Sequence, residues 1–162
     1  MSKRAAKELV NDDLITIAWG DSMASAAKRM EKLKIRHLAV VDEQGEIVGI
    51  LSDRDVQRAM NPTISLDDAG QGVYSEIDEF DPDARVRHYM AWPPKTVPAN
   101  TDLKEVAALM VTEKISSLLV QDGDDTIGII TTEDLLKVLM SLLGHPQTRL
   151  SMDARSLLRM ER

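Results

Sequence analysis

Gly49-Ile50-Leu51-Ser52-Asp53-Arg54-Asp55 and Gly128-Ile129-Ile130-Thr131-Thr132-Glu133-Asp134 follow one pattern: glycine, two aliphatic residues, a hydroxyl residue, two variable positions and an aspartate. Each stretch reads as an apolar strand that stops at the hydroxyl and opens a helix. Serine and threonine accept a hydrogen bond from the first helical N–H groups, and a carboxylate in the first turn sits well against the helix dipole. The helices that follow are expected over roughly 53–60 and 132–143.

Working backwards, the strand-like runs Ile35-Arg36-His37-Leu38-Ala39-Val40-Val41-Asp42 and Ile115-Ser116-Ser117-Leu118-Leu119-Val120-Gln121-Asp122 precede the two stretches. They end in the turns Asp42-Glu43-Gln44-Gly45 and Asp122-Gly123-Asp124-Asp125. Before them, Met23, Ala26, Ala27, Met30 and Leu33 mark one helical face, and Leu103, Val106, Ala107, Met110 and Val111 mark another. Ser22 and Asp102 are the expected N-caps. Further back, Thr16-Ile17-Ala18 aligns with Thr96-Val97-Pro98. Each copy therefore reads strand–helix–strand–strand–helix, and neither is large enough to bury its own apolar faces unaided.

The whole chain has 162 residues with 43% hydrophobic and only 3% aromatic residues, so the core must be aliphatic. Twenty basic residues against 27 acidic ones give a net charge of −7, which argues against a general nucleic-acid binder. There is no cysteine, so disulfides, thiolate metal sites and thiol nucleophiles are excluded. No run approaches the length of a membrane span, and the N-terminus lacks the apolar stretch of a signal peptide, so a cytoplasmic protein is expected. Residues 61–83 carry seven acids and read as a solvated linker. Residues 84–90 read as a short helical lead-in to the second copy. Residues 147–162, with Leu150, Ala154, Leu157 and Leu158 in helical spacing, read as a separate amphipathic helix. Trp19 and Trp92 are expected to be packing residues.

Two such patterns in register resemble a tandem pair of cystathionine-β-synthase (CBS) domains. Ala39 stands where that family often has proline. The resemblance implies an α+β fold of two β-α-β-β-α units, residues 8–60 and 84–143, packed as a pseudo-twofold pair, often dimerised again. It also implies binding of an adenine nucleotide (AMP, ADP or ATP, with or without magnesium) or a related adenosyl ligand. The chemistry of the motif agrees with this. A helix start offers N–H donors to phosphate, and Asp55 or Asp134 can accept hydrogen bonds from a ribose diol. Ile50 or Ile129 would flank the base.

Carried over residue by residue, the family pattern gives two unequal sites. The first combines Thr131, Asp134, Ile129 and Ser116 with Leu14, Ile15, Arg36, His37 and Arg54. Its cations suit a polyphosphate. The second, weaker one combines Ile50, Ser52 and Asp55 with Pro94, Lys95 and Ser117. Ser116, the repeat mate of Arg36, borders this one too, and Glu133 would repel phosphate there, by roughly 4 kcal/mol at close contact before screening.

Each of these residues also has a plainer role. The hydroxyls and aspartates cap helices, Arg36, His37, Arg54 and Lys95 can be solvated, and the acidic Asp122–Asp125 stretch is a turn. His37, His88 and His145 have no metal-ligand spacing, so no metal is expected. No catalytic residues and no phosphate-binding glycine loop are recognised, so an enzyme is not expected. The functional expectation is a stand-alone regulatory module that binds an adenosyl ligand and signals, as a homodimer, to a regulated partner protein. The alternatives are a ligand-free scaffold and a nucleotide hydrolase using Asp53 and Asp55.

Overall fold

In the computed structural model, which describes residues 4–10, 14–60, 65–66, 72–73 and 83–144, the two repeated stretches fold alike. The first repeat runs β1 (Thr16–Ala18), α1 (Met23–Leu33), β2 (His37–Val41), β3 (Ile47–Ser52) and α2 (Asp53–Met60). Two short strands follow, β4 (Ser65–Leu66) and β5 (Gly72–Val73), paired antiparallel. The second repeat runs β6 (Thr96–Pro98), α3 (Leu103–Glu113), β7 (Ser117–Asp122), β8 (Asp125–Thr131) and α4 (Thr132–Leu142). The class is α+β, with two β-α-β-β-α units. Most of the expected linker and all of the expected tail helix over 147–162 lie outside the described residues. Where residues 61–83 are described, they hold the β4–β5 pair rather than only linker.

Each unit is built around a three-stranded mixed sheet. β1 lies parallel to β2, which lies antiparallel to β3; β6, β7 and β8 repeat the arrangement. The caps fall where the sequence places them. Ser22 accepts from the Ser25 N–H at 3.1 Å, and Asp102 accepts from the Lys104 N–H at 3.0 Å. In α1, Met23, Ala26, Met30 and Leu33 are buried; in α3, Leu103, Val106 and Met110 are. Val111 departs from the expected face and is 78% exposed. A helical stripe is satisfied by positions 103, 106 and 110, and the next residue has already rotated about 100° away. β7 and β8 are joined by two residues, with Gly123 at φ 63°, so Asp122–Asp125 is a tight turn.

The compact units are not the sequence repeats. One comprises Thr16–Trp92; the other joins Met1–Ile15 to Pro93–Arg162. The short lead-ins are exchanged. Residues 6–8 form a 3-10 turn whose Ala6 N–H donates to Thr101 O at 2.8 Å and whose Lys7 N–H donates to Ala99 O at 3.0 Å. Ala6 is fully buried in the core of the second repeat with Val97, Leu103, Val106, Leu118, Val120 and Ile130. Residues 86–88 form the matching turn on the first repeat: Val86 N–H donates to Asp21 O and Arg87 N–H to Trp19 O, each at 2.9 Å. The segment expected to lead into the second copy therefore packs on the first. Trp92, at the end of that segment, is 72% exposed and is not a packing residue, whereas Trp19 is partly buried.

The exchanged lead-in explains the motif glycine Gly49. Ala91 exchanges backbone hydrogen bonds with Ile50, which brings the chain against Gly49. A Cβ there would stand 2.8 Å from Met90 Sδ and 2.9 Å from the Ala91 carbonyl oxygen. Methionine can yield; the backbone carbonyl cannot do so without disturbing its ladder. Gly49→Ala should destabilise the chain by about 1–3 kcal/mol, as other overpacked sites do, read as a lower urea midpoint at unchanged slope. An unchanged midpoint would refute the close approach.

Candidate functional site

Each repeat brings a strand end, a helix start and the adjoining strand start to one place, and the hydrogen bonds are nearly superposable. At the second repeat, Asp134 Oδ2 accepts from the Thr131 N–H at 2.8 Å and from the Thr131 hydroxyl at 2.7 Å. The Asp134 N–H donates back to Thr131 Oγ1 at 3.3 Å, closing a reciprocal capping box. At the first repeat, Asp55 Oδ2 accepts from the Ser52 N–H at 2.8 Å and the Ser52 hydroxyl at 2.7 Å. The neighbouring strand is fixed in both by the same bond: Asp53 N–H to Arg36 O at 2.9 Å, and Thr132 N–H to Ser116 O at 3.0 Å. His37 pairs with Ser52 across the first sheet, and Ser117 with Thr131 across the second.

The two sites differ in what remains open. Asp55 Oδ1 is held by Arg58 Nη2 at 2.7 Å, and the same Nη2 also donates to Tyr89 O at 3.1 Å. No described residue donates to Asp134 Oδ1, so that oxygen can still accept from a ligand. The plain capping role of both aspartates is real; it uses one oxygen and leaves the other as the point of difference.

Several expected charges are compensated locally. Arg36 Nε meets Asp53 Oδ2 at 2.7 Å, Lys95 Nζ meets Glu113 at 3.2 Å, and Lys137 Nζ meets Glu133 at 3.0 Å. Arg36 is thus not an uncommitted phosphate ligand, and Glu133 is not an uncompensated repulsive charge; the roughly 4 kcal/mol penalty for phosphate near Glu133 is an upper bound for an unpaired group. Arg54 is exposed, and Leu14, Ile15 and Pro94 are partly buried. By compact unit, Ile50, Ser52, Asp55, Arg36, His37 and Arg54 belong to Thr16–Trp92. Leu14, Ile15, Pro94, Lys95, Ser116, Ser117, Ile129, Thr131 and Asp134 belong to the other. Asp53, Arg58 and Lys137 were not anticipated as partners of these residues, although Asp55–Arg58 and Glu133–Lys137 are spaced for helical ion pairs.

A cavity of about 300 Å³ opens beside Asp134, within its own unit. It lies between α4 and the exchanged N-terminal turn. Among the described residues, no three His, Asp or Glu side chains converge as metal ligands, and no helix is long and apolar enough to cross a membrane.

The strand–hydroxyl–helix–aspartate units and their duplication define a CBS domain pair. The CBS domain family model matches residues 6–62 and 86–141, and the chain belongs to that family. It is 28% identical over 135 residues to inosine-5'-monophosphate dehydrogenase of Methanocaldococcus jannaschii, covering 83% of this chain but only 23% of that enzyme. It is 28% identical over 142 residues to a CBS domain-containing protein of Dictyostelium discoideum, covering 87% of this chain and 94% of that one. Among solved structures, the CBS domain pair of protein MJ0100, in complex with 5′-methylthioadenosine and S-adenosyl-L-methionine, matches with a TM-score of 0.69 at 25% identity. That match covers 87% of this chain and 99% of the other.

Proposed function

We propose that this chain is a regulatory module that binds an adenosyl ligand at Asp134 and passes the binding on to a partner protein. The observation that carries the reading is the open Oδ1 of Asp134, held at the first turn of α4 by a capping box on its other oxygen. A rigidly placed carboxylate with a free acceptor fits a ribose diol. The adenosyl compounds bound by the MJ0100 domain pair support the same class of ligand. Thr131, Ile129, Ser116, Leu14 and Ile15 share the unit of Asp134; Arg36, His37 and Arg54 enter this reading through the family resemblance alone. The second set, Ile50, Ser52, Asp55, Pro94, Lys95 and Ser117, is proposed as the weaker site because Arg58 already occupies Asp55.

A homodimer is proposed with it. The outward leucines of α4, Leu136, Leu139 and Leu142, and Leu143 just past its end are 48–76% exposed and supply an apolar surface for self-association. The hydrolase alternative is disfavoured because Asp53 and Asp55 are each committed to a guanidinium. The scaffold alternative draws on the compensated Arg36 and Lys95.

Thermal unfolding against ATP, ADP, AMP, NAD, S-adenosylmethionine and a GTP control, with and without magnesium, tests the reading. A ligand at 100 times its dissociation constant adds about 2.7 kcal/mol. Stabilisation by adenine compounds and not by GTP is expected. No shift with any of them would favour the scaffold, and phosphate release would favour the hydrolase.

A further inference from the structure

The cavity beside Asp134 has an unusual charge balance for a nucleotide site. Its lining carries two cations, Arg4 and Lys137, and two carboxylates, Glu8 and Asp134 itself. Lys137 is also bound to Glu133 at 3.0 Å. One oxygen of Glu8, Oε1, accepts from the Ala5 N–H at 2.9 Å, which fixes the side chain over the turn. Ser141 adds a hydroxyl, and Leu9 and Val138 supply an apolar wall. All seven residues belong to one compact unit. The volume, about 300 Å³, lies at the small end of ligand sites, so it suits one part of a nucleoside derivative rather than the whole.

A triphosphate would bring several negative charges to a lining that is already neutral and would sit against two carboxylates. An α-amino acid group has the opposite fit. It is zwitterionic, presenting a carboxylate that Arg4 can take as a fork and an ammonium that Glu8 can accept. The apolar wall suits a short methylene or thioether linker between that group and a ribose on Asp134.

We propose that this cavity is a subsite for the amino-acid tail of an adenosyl ligand, so that the site at Asp134 selects a zwitterionic 5′ substituent over a polyphosphate. The proposal rests on the reading of Asp134 as the ribose acceptor. Arg4 and Glu8 determine specificity here, and neither is part of the repeated motif.

Calorimetric titration of the full chain with 5′-methylthioadenosine, S-adenosylhomocysteine, S-adenosylmethionine, AMP and ATP tests it. The first compound lacks the amino-acid tail that the next two carry. The tailed compounds should bind about ten-fold or more tightly than 5′-methylthioadenosine, the worth of one charge-assisted hydrogen bond, and ATP should bind weakest. Arg4→Ala and Glu8→Gln should each reduce that ratio to about three-fold or less while leaving the affinity for 5′-methylthioadenosine unchanged. Both side chains are exposed, and glutamine retains the acceptor for Ala5, so both variants should fold. Equal binding of tailed and tailless compounds, an unchanged ratio in both variants, or preference for ATP would overturn the subsite while leaving an adenosyl module intact. Binding of none of the five would overturn the functional reading and the subsite with it.

Discussion

Asp134→Ala will abolish the thermal stabilisation that adenosyl compounds give the wild-type chain, whereas Asp55→Ala will leave most of it in place. Both substitutions remove a capping box, since each aspartate accepts the N–H and hydroxyl of its Ser or Thr through one oxygen. Both should therefore lower the ligand-free midpoint by a comparable amount, about 0.5–2 kcal/mol for a lost cap. The ligand response separates them. Asp134 has a second oxygen open to a ribose, while the second oxygen of Asp55 is bound to Arg58 at 2.7 Å. With ligand at 100 times its dissociation constant, the wild type gains about 2.7 kcal/mol, a rise of several degrees for a chain of this size. Asp134→Ala should show none of that rise. Asp134→Asn keeps a carbonyl acceptor for the cap and so distinguishes loss of the helix start from loss of the ligand. If Asp134→Ala retains the full shift, the site is misassigned. If Asp55→Ala loses as much as Asp134→Ala, the Arg58 pair opens on binding and both sites work.

The parts of this fold that the sequence makes legible are those governed by local periodicity. Strand, hydroxyl and helix follow each other within seven residues, so Gly49–Asp55 and Gly128–Asp134 announce their own conformation. The caps Ser22 and Asp102 and the buried faces of α1 and α3 are legible for the same reason, because a cap and a stripe are short-range features. What escapes is set by register and by tertiary packing. The Arg36–Asp53 pair spans 17 positions and forms only because β2 and β3 pair so that His37 lies opposite Ser52. The need for glycine at position 49 comes from Ala91, more than forty residues away in sequence. Arg4 and Glu8 reach the Asp134 cavity because the N-terminal turn packs on the far repeat, which no repeat alignment can express. The asymmetry between the two aspartates depends on a single arginine three residues after Asp55, and that spacing was open to reading as a helical ion pair.

That exchange of lead-ins carries the largest expected effect on stability. Deleting residues 1–10 should destabilise the second repeat, not the first. The deletion removes Ala6, which is fully buried in the core around Leu118 and Ile130, and Leu9 and Val10, which pack against it. It also orphans the Leu103 N–H, which donates to Arg4 O at 2.9 Å, and the carbonyls of Thr101 and Ala99, which accept from Ala6 and Lys7. Each buried backbone group left unpaired costs about 1–3 kcal/mol, and the emptied apolar volume adds to it. The total is a large fraction of the stability of an ordinary domain, about 5–15 kcal/mol. The two tryptophans make the prediction selective. Trp19 and Trp92 both lie in the Thr16–Trp92 unit, so tryptophan fluorescence follows that unit while far-ultraviolet circular dichroism follows the whole chain. Urea unfolding of the truncated chain should show a dichroism transition at markedly lower denaturant than the wild type, with the fluorescence transition lagging behind it. If the N-terminal turn served its own repeat, fluorescence would lead instead. A dichroism midpoint equal to that of the wild type would mean that residues 1–10 contribute nothing to the second core, and the exchange would be refuted.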